Sequence, residues 1–267
     1  MQKDQFIQYK NKNIYYQNIG KGNTVVLLHG LPVDGNIWKE QAEVLQNIFH
    51  LIVPDISGSG RSEMLEGENI SIDDYAEVIK TILDKENISQ CTMIGHSIGG
   101  YITLAFAEKY PELLNGIGLF HSSAFADDEE KKQARLKTIQ FIKTNGAAVF
   151  LKTLIPSLFA GKQHLKKMEA LIEEGKNISA ASLIQYYYAM IHRPDRTDVL
   201  KNFTKPVLFI IGEKDTAVPM QASLQQCHMP AIAQVHILDS GHMGMIEQSE
   251  RSLSIVESFL QNILTIN

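Results

Sequence analysis

The sequence predicts an α/β architecture built on a largely parallel sheet, and three observations carry that prediction. Largely apolar runs at residues 24–28, 91–94 and 207–211 read as strands, the first as one covered on both faces. Helical patterns alternate with such runs up to residue 121, which is the rhythm of strand, crossover helix and parallel strand. From residue 126 to 198 the rhythm stops and only helical patterns appear, so this block reads as an insertion between strands.

Taken in order, two short strands are expected at residues 6–9 and 14–17, joined by a turn at Lys10-Asn11-Lys12-Asn13. The buried run at 24–28 follows, then a helical pattern over 37–48 and a second buried strand at 51–53, ended by Pro54. Residues 71–86 read as a helix capped by Ser71, with Asp73 and Asp74 in its first turn. The strand at 91–94 runs directly into a glycine-rich turn and an apolar helix stopped by Pro111, and residues 116–120 form the next strand. Within the inserted block, helices are expected over 127–145, 147–159, 163–174 and 179–191. Alternation resumes with strands at 207–211 and 234–238 and closes on an amphipathic helix over 250–264.

Composition narrows the function classes. The apolar fraction of 44% and charged fraction of 21% in 267 residues are those of an ordinary globular protein with a substantial core. A net charge of -5 without a long basic run argues against nucleic acid as a partner. Lys131-Lys132 and Lys166-Lys167 are mixed with glutamates and read as solvated helix faces. The two cysteines, Cys91 and Cys227, form neither a disulfide framework nor a paired metal site. No apolar run reaches the roughly 18 residues of a membrane span, and Met1-Gln2-Lys3-Asp4-Gln5 is polar. The expectation is a cytoplasmic enzyme in a reducing compartment.

The chemistry centres on Gly95-His96-Ser97-Ile98-Gly99, between a buried strand and a helix. A strand-to-helix turn this tight leaves no room for side chains at 95 and 99, and it thrusts Ser97 out from the sheet's end. Serine needs a base, and His242 follows the last strand in Asp239-Ser240-Gly241-His242, on a loop returning to that same edge. Imidazole in turn needs a carboxylate. Asp215 is favoured, because Gly212-Glu213-Lys214-Asp215 has turned outward from its strand by then, but spacing leaves Glu213 and Asp239 open as rivals. The main-chain N–H groups of Leu31 and Ile98 are assigned to an oxyanion hole. His29 is read as holding its loop, and His96 as packing beside the serine.

These motifs resemble the α/β-hydrolase superfamily. The resemblance rests on the His29-Gly30 loop, Pro54-Asp55 with Gly58-Ser59-Gly60-Arg61-Ser62, the Gly95–Gly100 turn, Gly212-Glu213-Lys214-Asp215 with Val218-Pro219, and Gly241-His242, in serine–acid–histidine order. It implies a mostly parallel eight-stranded sheet with an antiparallel strand near the N-terminus, a core at 1–125 and 199–267, and a helical cap at 126–198. It implies no cofactor or metal and a small-molecule substrate, and it leaves monomer and homodimer open. Gly58-Ser59-Gly60-Arg61-Ser62 lacks the Gly-Lys-Ser/Thr ending of a phosphate loop and reads as a structural turn. The expected activity is hydrolysis of a small or medium, largely apolar carboxylic ester through an acyl-enzyme. Lactone opening, carbon–carbon bond hydrolysis, perhydrolysis and slow-turnover ligand sensing are the alternatives. Val33, Phe125, Phe150, Leu154, Tyr187 and Met243 are the candidate pocket residues, with Leu31, Phe141, Phe159 and Met190 beside them, although most are expected to pack cap on core.

Overall fold

Eight strands form one sheet in the computed structural model, in which residues 3–67 and 69–266 are described. In chain order they are β1 (Lys3–Tyr9), β2 (Lys12–Gly20), β3 (Thr24–Leu28), β4 (His50–Pro54), β5 (Cys91–His96), β6 (Leu114–Phe120), β7 (Val207–Gly212) and β8 (Ala233–Leu238). In space the order is β1-β2-β4-β3-β5-β6-β7-β8. β2 runs antiparallel to both β1 and β4, and every other pairing is parallel. This is the predicted sheet.

The helices are α1 (Lys39–Leu45), α2 (Ile72–Lys85), α3 (Ile98–Lys109), α4 (Glu129–Asn145), α5 (Ala147–Ser157), α6 (Leu165–Glu174), α7 (Ala180–His192), α8 (Thr197–Asn202), α9 (Met220–Gln226), α10 (Gly244–Glu247) and α11 (Ser249–Ile266). Successive residues of β3 point to opposite faces, as strand geometry demands. Val26 and Leu28 join a core with α2 and α3, whereas Val25 and Leu27 join one with α1 and α11. Burying each such side chain contributes about 1.5–3 kcal/mol, so both faces of the central strands stabilise the sheet.

Three boundaries differ from the predictions for identifiable reasons. β1 and β2 pair through polar Lys12 and Asn13, leaving only Lys10-Asn11 as the turn. Both turn residues have positive φ, the two-residue geometry whose twist matches a hairpin. The helix expected over 37–48 splits into a 3₁₀ turn, Gly35–Trp38, and α1, because the Asp34 carboxylate accepts from Asn36 N–H and tightens the start. α5 stops at Ser157 because Pro156 lacks an N–H and ends the ladder. At α2 the expected cap is present: Ser71 Oγ accepts from Asp74 N–H, and the Asp74 carboxylate accepts from Ser71 N–H. Such a cap is worth about 1 kcal/mol.

Helices α4 to α8 lie between β6 and β7 in sequence, with no strand among them. Their apolar residues, among them Ile142, Leu151 and Leu183, merge with Val26 and Ile98 into one continuous core cluster. α8 straddles the division expected at 198/199, and Leu200 is buried in that cluster. Among the described residues no helix is long and apolar enough to cross a membrane.

Candidate active site

The turn between β5 and α3 leaves Ser97 at φ 53°, ψ -118°, a backbone conformation that non-glycine residues rarely adopt. Its neighbours explain how the strain is held. A Cβ on Gly95 would lie 2.2 Å from the Gly99 carbonyl, and one on Gly99 would lie 2.7 Å from Leu28 O. The first turn of α3 therefore sits directly against β3 and β5, with no room for a methyl group. Ser97 N–H donates to Phe120 O at 3.0 Å, and Ser122 Oγ donates to Ser97 O at 2.7 Å. The Ser97 side chain stays partly exposed among buried neighbours.

Ile98 is the first residue of α3, so its N–H has no carbonyl one turn earlier to bond. Among the described residues neither it nor Leu31 N–H donates a hydrogen bond. Leu31 lies on the loop after β3, where a Cβ on Gly30 would come within 2.9 Å of Ser97 Cβ. That loop is braced by His29, whose Nδ1 bonds Gly30 O at 2.8 Å and whose Nε2 accepts from Ile56 N–H at 2.8 Å. Burial holds the His29 pKa below its ordinary value, so the ring is neutral.

On the far side of the site, His242 Nδ1 meets Asp215 Oδ2 at 2.8 Å. Both side chains are buried. Asp215 Oδ1 accepts from the N–H groups of Ala217 and Val218 at 2.8 and 2.9 Å. Burial alone would raise the Asp215 pKa, but the imidazoles of His242 and His121 outweigh it and hold the group far below the usual carboxylate range. The rivals are elsewhere. Glu213 is exposed, and Asp239 is an exposed ion-pair partner of Lys214.

The loop that carries His242 is fastened at several points. His242 N–H donates to Leu158 O at 2.6 Å, and His96 Nε2 donates to His242 O at 2.9 Å. The buried Glu247 carboxylate accepts from Gly241 N–H at 2.9 Å and Ala160 N–H at 2.8 Å, tying the loop to the turn after α5. His96 is thus more than packing, since it bonds the loop of the neighbouring histidine.

Ser97 and His242 line one cavity of about 240 Å³, together with Leu31, Leu154, Tyr187 and Met190. Other candidates for the pocket lie apart from it. Val33 lines a neighbouring cleft with Asp34 and Glu174. Phe150 packs edge-on against Tyr187, with ring centres 5.9 Å apart. Phe125 offers its carbonyl to Arg193, Phe141 is largely exposed, and Met243 is wholly buried. Of the three consecutive tyrosines, Tyr186 is buried and donates to Ser57 O at 2.8 Å, Tyr187 reaches the cavity, and Tyr188 stacks on His192.

Two features escape the sequence reading. His121, just past β6, stands beside Asp215, yet it had the same signal as His242: a polar residue at the C-terminal end of a buried strand. Lys131 and Arg135 of α4 line the cavity, so the face read as solvated is turned inward at these positions. The ligand atoms of His121, Asp215 and His242 lie within 4.8 Å of one another, close enough to suggest a metal. The hydrogen bonds argue against that use. Gly244 N–H donates to His121 Nε2 at 3.3 Å, which places the ring's proton on Nδ1, facing Asp215, where a metal would need a lone pair.

Residues 23–249 match the model of the alpha/beta hydrolase fold family. The chain belongs to this family. Among its relatives, a pimeloyl-[acyl-carrier protein] methyl ester esterase of Vibrio parahaemolyticus is 24% identical over 268 residues, covering 94% of this chain and 99% of that protein. A thermophilic esterase of Thermogutta terrifontis, solved with malate bound, superposes with a TM-score of 0.91 at 26% identity, covering 98% of this chain and 99% of the other. The enol-lactonase of Burkholderia xenovorans LB400 has the same fold, with a TM-score of 0.89 at 19% identity over 96% of this chain and all of the other (100%). The chain is an esterase-like member of the alpha/beta hydrolases.

Proposed function

We propose that the chain is a serine hydrolase that cleaves small or medium carboxylic esters through an acyl-enzyme, with Ser97 as nucleophile, His242 as general base and Asp215 as the orienting acid. The observation that carries this reading is the 2.8 Å contact of His242 Nδ1 with Asp215, on the wall of the cavity that Ser97 enters from its positive-φ turn. With Nδ1–H donated to Asp215, the lone pair of His242 is on Nε2.

In this reading Ser97 Oγ attacks the ester carbonyl as its proton passes to His242 Nε2. The N–H groups of Leu31 and Ile98 hold the oxyanion, and the N-terminal end of α3 adds partial positive charge there. The tetrahedral intermediate collapses, breaking the bond to the alkoxide, which takes the proton from His242. Water then repeats the sequence: His242 removes its proton, the hydroxyl attacks the acyl carbon, and the proton returns to Ser97 Oγ as the acid leaves. The inserted helices act as the cap, since Leu154, Leu158, Tyr187 and Met190 supply cavity wall from α5, α7 and the turn after α5. A lactone is an internal ester and follows the same steps.

The test is turnover of a short p-nitrophenyl ester together with labelling by a serine-directed phosphonate. Ser97→Ala is expected to lose at least about 10⁴-fold in kcat and to abolish labelling. Equal rates in both proteins, or labelling that persists in the variant, would remove Ser97 as the nucleophile.

A further inference from the structure

We propose that the ester accepted by this site carries a free carboxylate, held by Arg135 and Lys131 on the wall of the Ser97 cavity. The inference rests on the hydrolase reading above and adds the substrate's class to it. Lys131, Ala134, Arg135 and Thr138 all line that cavity, and their spacing of i, i+3, i+4 and i+7 makes them one stripe of α4. No acidic side chain shares the lining among the described residues.

The charges behind the wall do not balance. Asp127 is buried and paired with Arg135, but it is also held by Arg193 Nη2 at 3.0 Å. Two guanidinium groups face one carboxylate, which leaves one positive charge over, and Lys131 adds a second. Arg193 is buried and its Nη groups are taken: they donate to Met190 O at 2.8 Å and Phe125 O at 3.0 Å, leaving Nε without a partner, and the guanidinium lies 4.0 Å from the Tyr101 ring centre. Arg135 lines the cavity and has weaker partners. Beyond its Nε bond to Asp127, its Nη1 meets only the Met190 sulfur at 3.3 Å, and its Nη2 reaches Asp127 at a long 3.4 Å. A thioether is a weak acceptor, so the outer fork of the guanidinium is under-coordinated. Keeping guanidinium N–H groups from water without strong acceptors is costly, and a carboxylate in the cavity offsets that cost by charge-assisted hydrogen bonds to the fork. The Tyr187 ring, 5.8 Å from the guanidinium carbon, helps keep the fork in place.

The experiment compares monoethyl glutarate with ethyl pentanoate, esters of equal acyl length, by titrating the acid released. The wild-type protein is expected to favour the anionic ester in kcat/KM by about tenfold or more, chiefly through KM, the scale of one charge-assisted hydrogen bond. Arg135→Gln should bring the ratio close to one, Lys131→Gln should reduce it several-fold, and Arg135→Lys should restore part of it. A second readout needs no turnover: calorimetric titration with glutarate, expected to show binding weakened about tenfold in Arg135→Gln. If that variant fails to fold, Lys131→Gln, at a partly exposed position, carries both comparisons. A wild-type ratio near one, or glutarate affinity indifferent to these substitutions, overturns the proposal. Binding of inorganic phosphate in place of glutarate overturns the carboxylate assignment. Arg135-dependent glutarate binding without turnover of either ester supports the anion site while refuting the hydrolase reading.

Discussion

His121 Nδ1 lies 3.3 Å from Asp215 Oδ2, the oxygen that also receives His242 Nδ1. The contact is too bent for a good hydrogen bond but close enough for attraction. With Gly244 N–H donating to its Nε2, His121 presents Nδ1–H to the carboxylate as a neutral second donor. In the proposed reaction it would act only through Asp215, as a positioning residue.

Replacing it should therefore loosen the carboxylate. In His121→Phe the carboxylate loses one partner and holds the His242 ring less firmly in place. Turnover should fall in kcat more than in KM, and the orphaned Gly244 N–H should cost about 1–3 kcal/mol of stability. An unchanged kcat with lowered stability would leave His121 a purely structural role.

Asp215 and its rivals should separate by orders of magnitude. Asp215→Asn is expected to lower kcat by about 10⁴-fold, since the amide favours the wrong imidazole tautomer. Glu213→Gln and Asp239→Asn alter exposed groups and should stay within a few-fold of wild type. Steady-state turnover of one ester by all three variants decides the assignment.

Glycines 95 and 146 are needed for different reasons, and substitution should show it. Gly146 has φ 81° and ψ 165°, and a methyl group placed on it would meet nothing within 4 Å, so Gly146→Ala should cost backbone strain alone, about 1–3 kcal/mol. Gly95→Ala would force a Cβ to 2.2 Å from the Gly99 backbone, and it should cost several times more or prevent folding. Thermal unfolding of the pair is the measurement. Similar Tm values would contradict the steric account of the Ser97 turn.

The Glu247 carboxylate links two backbone N–H groups, Gly241 next to His242 and Ala160 after α5. Glu247→Ala should orphan both donors and cost about 2–5 kcal/mol, with kcat falling because His242 loses its fixed position. Glu247→Gln keeps one acceptor and should recover part of both losses. Unchanged kcat in the alanine variant would free the His242 loop from this dependence.

Stability should fall on acidification below about pH 6.5, the ordinary histidine value. His29, His96 and His121 are buried and their pKa values are lowered chiefly by burial. Below pH 6.5 the unfolded chain binds protons at these rings that the folded chain refuses, so stability is full above that value and declines as pH falls toward the folded values. Asp55 opposes them. Burial raises its pKa to about 6, so its contribution is fully present only below about pH 4 and is lost as pH rises through 6. Three rings against one carboxyl leave a net loss between pH 7.5 and 5.5, which Tm against pH will register. A Tm that rises over that interval would contradict the buried, neutral state of the rings.

Much of this protein was legible in local patterns. The largely apolar run before Gly95, the glycine spacing about Ser97 and the cap at Ser71 are short-range features, because strand burial, turn sterics and capping are satisfied within a few residues. Order along the chain and placement at strand ends singled out Ser97, His242 and Asp215 over other residues of the same type. Tertiary structure alone decided the rest. Whether Asp215 or Asp239 faces His242 depends on the path of two loops, each anchored by bonds to distant segments such as Leu158 and Glu247. Whether Lys131 and Arg135 meet water or the cavity depends on how α4 rotates when Ile139 and Ile142 pack into the core, and helical periodicity fixes a helix's apolar face without saying what stands opposite the polar one.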